Sequence, residues 1–86
     1  MSSVTEKLLA VFISTHETLR AERMFKEAKT RVRATIKPRK ISSNCQMAIT
    51  FSPDKIKDIR KTVKANNLKL VGYYKKDEAG EWMEIN

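Results

Sequence analysis

Lys37-Pro38-Arg39-Lys40-Ile41-Ser42-Ser43-Asn44-Cys45-Gln46 is a polar, basic connection carrying the chain's one cysteine, and the sequence on either side of it repeats one plan. Each half runs from an apolar stretch through a helix-start signal and an amphipathic stretch to a second short apolar strand. That repetition decides the fold, and the cysteine sits where the halves meet.

Upstream of the connection, Val32, Ala34 and Ile36 alternate with Arg31, Arg33, Thr35 and Lys37. This is the period of a half-buried strand, and its charged outer side suits a sheet edge. Pro38 stops it, because proline has no N–H to give a ladder. Further back, Ser14 and Glu17 have the spacing of a capping box, the hydroxyl taking a free helix N–H and the carboxylate reaching back. The helix they open puts Ala21, Met24, Phe25 and Ala28 on one stripe, which Leu19 is expected to extend. With no glycine to stop it, the helix is expected to end near Lys29-Thr30, where basic residues suit the negative end of the dipole. Leu8 to Ile13 is a continuous apolar run of strand length, expected at the centre of a sheet.

Downstream, Met47-Ala48-Ile49-Thr50-Phe51 reads as another central strand. Ser52-Pro53 announces a helix, with serine as cap and proline at the first helical position. That helix turns Ile56, Ile59 and Val63 inward and stops at Asn66-Asn67, since asparagine tolerates a left-handed cap. Leu68 to Tyr74 is the next strand, in which Gly72 is expected to mark a bulge or a close approach. Residues 75–80 read as a turn, and Glu81 to Ile85 as a short fifth strand or a lid across the sheet.

The order strand, helix, strand, strand, helix, strand closes most simply as a ferredoxin-like α+β two-layer sandwich, βαββαβ, with right-handed crossovers and both helices on one face. With 86 residues this is a single domain, its core about 8–76 and its tail 77–86. One sheet face is left without helices, and a second copy of the chain or the tail is expected to cover part of it, which makes a homodimer the expected assembly.

Eighteen lysines and arginines against ten acids give a net charge of +8. No acidic residue lies between Glu27 and Asp54, whereas Lys29, Arg31, Arg33, Lys37, Arg39 and Lys40 crowd into one stretch. Such a field attracts phosphates, nucleic acid or an acidic protein, with Arg31, Arg33 and Lys37 as the expected anion contacts. The aromatic pattern of an RNA-recognition strand is missing from residues 45–51, so only weak, backbone-level nucleic-acid binding is expected. There is no long apolar run and no signal-peptide pattern, and a lone cysteine makes no internal disulfide; a cytoplasmic, non-membrane protein is the expectation. No cofactor or metal motif is present. His16 is alone and reads as a surface or capping residue, and no pattern of acids or nucleophiles suggests a stand-alone hydrolase or transferase.

Cys45 carries the chemistry that remains. A thiol reacts as its thiolate, which nearby cations and backbone N–H groups favour, so Arg39 and Lys40 are candidate stabilisers and Ser42 and Ser43 candidate turn-formers. The opposing reading makes Cys45 a small apolar group tucked under a helix at the start of the third strand. The early apolar strand followed by Ser14-Thr15-His16, the Ala21-Glu22 helix, Pro38 to Cys45 and Ala48 to Phe51 together resemble a small bacterial family of selenium/sulfur carrier protein-like domains (DUF3343). The similarity runs from about Leu8 to Tyr74, and its specific part is the proline-arginine pair followed by serine-serine-x-cysteine. The resemblance implies that Cys45 holds sulfur or selenium as a persulfide-type adduct, received from one protein and passed to another. Gln46 stands where the family usually has glycine, and a side chain there can crowd the cysteine or bar a positive-φ turn. The alternatives are a basic nucleic-acid-binding module and a non-catalytic dimeric regulatory or scaffolding domain.

Overall fold

A computed structural model describes residues 7–41 and 45–85. Its elements are β1 (Leu8–Phe12), α1 (Thr15–Glu27), β2 (Arg33–Ile36), β3 (Met47–Phe51), a 3-10 turn over Pro53–Lys55, α2 (Ile56–Ala65), β4 (Leu70–Lys76) and β5 (Trp82–Ile85). Every residue of β1 is buried, and it lies in the middle of an antiparallel sheet of order β2-β3-β1-β4-β5. This is the ferredoxin-like arrangement read from the sequence, with the tail added as a strand beyond β4.

The period of two in the strands divides the apolar residues between two layers. Leu8, Ala10 and Phe12 of β1 join Ile49 and Phe51 of β3 against Ala21 and Phe25 of α1 and Ile59 of α2. Phe12, Phe25 and Phe51 are fully enclosed, each contributing about 1.5–3 kcal/mol on transfer from water. Leu9, Val11 and Ala48 point to the other face, where Ile41 from the connection, Tyr74 from β4 and Trp82 from β5 pack on them. The chain therefore covers the centre of its second face with its own connection and tail. Burial pushes the Tyr73 phenol up, opposed by the Arg60 guanidinium 5.2 Å from its ring centre.

Three local details differ from expectation. Glu17 N–H donates to the Ser14 hydroxyl at 3.1 Å, but the Glu17 carboxylate does not complete the box; it accepts the backbone N–H of Lys69 at 2.7 Å and so joins α1 to the start of β4. Leu19 is 51% exposed, and the buried stripe runs through Thr18, Ala21 and Phe25 instead. Leu19 lies two positions from Ala21, about 200° round the helix, so it faces water. Ser52 caps with no side-chain bond, and a 3-10 turn precedes α2. At Gly72 the expected bulge is present, the register slipping opposite Val11 and Phe12, and the near neighbour is a side chain and not backbone: a Cβ would come within 2.9 Å of the Glu84 carboxylate.

Candidate functional site

Cys45 lies between the connection and β3, where β3 begins beside the end of β1 and the first turn of α1. Its residue is 1% exposed. Sγ donates to the Met47 carbonyl at 2.9 Å and accepts the Met47 N–H at 3.3 Å, so the thiol closes a tight local turn on its own strand. The Thr18 hydroxyl is 3.0 Å from the sulfur and 2.9 Å from the Ser14 carbonyl, to which it donates. With that proton on Ser14 and the thiol's single proton on Met47, no proton lies between the threonine oxygen and the sulfur. Rotating the hydroxyl would turn the proton to the sulfur and leave the Ser14 carbonyl to the backbone N–H of Thr18, which already reaches it at 3.0 Å. Thr15 Oγ1 lies 4.0 Å from Sγ, and Thr15 is an exposed residue.

The other residues expected here are distributed differently. The Lys40 ammonium is held by both Glu81 carboxylate oxygens, at 2.9 and 2.8 Å, clasping the connection to the tail ahead of β5. Arg39 is exposed on the same connection. Lys37 turns its ammonium onto the carbonyls of Pro38 and Ile41, making it a staple of the connection. Ser42 and Ser43 lie outside the described residues. Arg31 and Arg33 are exposed at the opposite end of the sheet: Arg33 stands across from Thr50 and Ile36 across from Met47, so β2 carries the two ends of one basic stretch about 10 Å apart. Gln46 is exposed and its φ is not positive, so at this position neither crowding of the sulfur nor a glycine-only backbone arises. Its carbonyl accepts the Lys37 N–H at 2.9 Å.

Thr18 was not among the residues the sequence singled out, and Thr15 entered only as part of the motif that carries the resemblance. Thr18 could have been found, because a threonine three and seven positions from Ala21 and Phe25 sits on the apolar stripe and must bond to something buried. Among the described residues no group of histidines, cysteines and acids could hold a metal ion, and no helix is long and apolar enough to cross a membrane. His16 is exposed on α1.

Residues 7–75 match the family model described as "Putative Se/S carrier protein-like". No curated protein and no solved structure matches the chain at a significant level.

Proposed function

The chain belongs to the Se/S carrier protein-like family, and on that premise we propose that it receives one sulfur or selenium atom on Cys45, keeps it from water, and hands it to an acceptor protein. The observation that supports this most is the placement of the single sulfur: enclosed against the first turn of α1 and touched by a backbone N–H and a threonine hydroxyl. In loading, the Cys45 thiolate attacks the outer sulfur of a donor persulfide, R–S–SH. The new S–S bond forms on Cys45, the donor's S–S bond breaks, and R–S⁻ leaves. In unloading, an acceptor thiolate attacks the outer sulfur of Cys45–S–SH and Cys45 departs as thiolate. Nothing is oxidised or reduced overall, so a single cysteine suffices and no resolving thiol is needed.

The sulfur is enclosed, so its surroundings must open for either step, and we take the connection that leads into Cys45 as the part that moves. The clasp between Lys40 and Glu81 has side chains 66% and 54% exposed, so its release costs about 0–1 kcal/mol. Once Lys40 is released, it and Arg39 supply positive charge on the segment that bears the cysteine, suited to an anionic persulfide or a leaving thiolate. An intact-mass spectrum after incubation with a low-molecular-weight persulfide tests the reading. The native chain gains one sulfur and Cys45→Ser gains none. A native chain that gains nothing, while its thiol alkylates normally once unfolded, defeats the carrier role and leaves a buried structural cysteine.

A further inference from the structure

The basic stretch is split by the fold, and its first half meets cations from elsewhere in the chain. The pairing of Leu8 with Phe51 and of Arg33 with Thr50 brings the start of β1, the start of β2 and the end of β3 level. Lys7, Arg31, Arg33 and Lys55 therefore converge, together with Thr50 and Ser52, on a surface cavity of about 330 Å³. No carboxylate is among the described residues lining it. Asp54 follows closely in sequence but is not part of the wall. The ion pairs among the described residues are Arg20–Glu17 and Lys40–Glu81, so these four cations face one another unneutralised. Ser52, at the head of the 3-10 turn, makes no capping bond with its side chain, which leaves its hydroxyl to the cavity.

We propose that this cavity binds a pyrophosphate-type group, either free or as the diphosphate of a small molecule. Two phosphoryl groups bring about three to four negative charges, matching four cations where a carboxylate or a single phosphate would leave most of the repulsion standing. Guanidinium forks take phosphate oxygens in pairs, and the Ser52 and Thr50 hydroxyls can donate to the remainder. The volume falls at the small end of the range of about 300–1,000 Å³ typical of small-ligand sites. Phe51, the one aromatic residue in the wall, is 2% exposed, so no ring is offered for a base to stack on. Recognition is of the diphosphate. A polynucleotide would need cations continuing along β2, where Lys37 is occupied with the carbonyls of its own connection. The site stands about 20 Å from Cys45 along β3 and does not depend on the carrier chemistry.

Inorganic pyrophosphate and ADP, titrated separately into the isotope-labelled chain at low salt, distinguish the sources. Saturable amide shifts at Lys7, Arg31, Arg33, Ser52 and Lys55 are expected with both ligands if the diphosphate is what is recognised. Arg31→Ala with Arg33→Ala should weaken binding by at least about tenfold, whereas Arg23→Ala with Lys57→Ala, which removes the same charge elsewhere, should leave it within about twofold. The same spectra report that each variant is folded. Cys45→Ser should bind as the native chain does. The proposal is overturned by shifts that do not saturate at these amides, by equal weakening in both double variants, or by a short single-stranded RNA that binds more tightly than either ligand with shifts running along β2 beyond the cavity.

Discussion

The two ends of the sheet are finished by opposite means. At the end where β1 stops and β3 starts, polar groups are buried and joined: Glu17 to the Lys69 amide, Thr18 to Ser14 and Cys45, Cys45 to Met47, Lys37 to the connection. At the other end Lys7, Arg31, Arg33 and Lys55 stand round a cavity with no described carboxylate beside them. A buried, bonded cluster fixes the geometry of the sulfur at its centre, whereas a cationic cluster stores repulsion that an anion relieves. Substitutions at the first end should therefore register as lost stability, and those at the second as lost binding.

The largest effect is expected from Glu17→Ala. Its carboxylate is the acceptor for an amide fifty-two positions away, and a hydrogen bond to a charged group contributes about 1.5–3 kcal/mol. Urea unfolding should show a loss of about 2–3 kcal/mol, while Arg33→Glu at the opposite end, on an exposed edge residue, should change stability by less than about 0.5 kcal/mol. Comparable losses from the two would erase the contrast. Thr18→Val comes next, at about 1–2 kcal/mol, because the methyl abandons both the Ser14 carbonyl and the sulfur in a site with no exposure. The same variant should alkylate at Cys45 faster than the native chain in the folded state.

How far these ends could be foreseen differs in the same way. The strand alternation at 31–37, the apolar runs at 8–13 and 47–51 and the Ser52-Pro53 start fixed the topology in advance, since periodicity and punctuation are local signals. Cys45 was legible as the atom of interest. Its surroundings were not, because the partners reach it across twenty-seven and thirty positions through the crossover, and the same crossover took Glu17 away from its expected box to Lys69. The charge run 29–40 was legible as a field but its division was not: a strand inside it carries its two halves to different ends, and Lys7 and Lys55 join one of them only through the register.

Lys40→Ala sharpens the comparison from the side of motion. Loss of the pair with Glu81 should cost less than about 1 kcal/mol by urea unfolding, since both side chains are largely in water. If that clasp restrains the connection that leads into Cys45, alkylation of the thiol in the folded chain should still quicken severalfold. An unchanged rate would mean that Ile41, buried on the second sheet face, and the Lys37 staple hold the connection without the clasp.

The smallest effect concerns the helix ends, one at each end of the sheet. Both helices stop with a left-handed residue, Lys29 at φ 60 and Asn67 at φ 55, followed by an amide that reaches back five residues, Thr30 to Phe25 and Leu68 to Val63. Asparagine accepts that conformation with little cost, whereas lysine does not. Lys29→Gly should therefore stabilise the chain by about 0.5–1 kcal/mol, and Asn67→Gly by only a few tenths. Removing the Lys29 charge also eases repulsion near Arg31, which would mimic the backbone gain. Lys29→Ala separates the two, since it loses the charge but keeps a Cβ at positive φ. If Lys29→Ala gains as much as Lys29→Gly in urea unfolding, the benefit is electrostatic, and the cationic end costs the fold more than its exposed edge residues suggest.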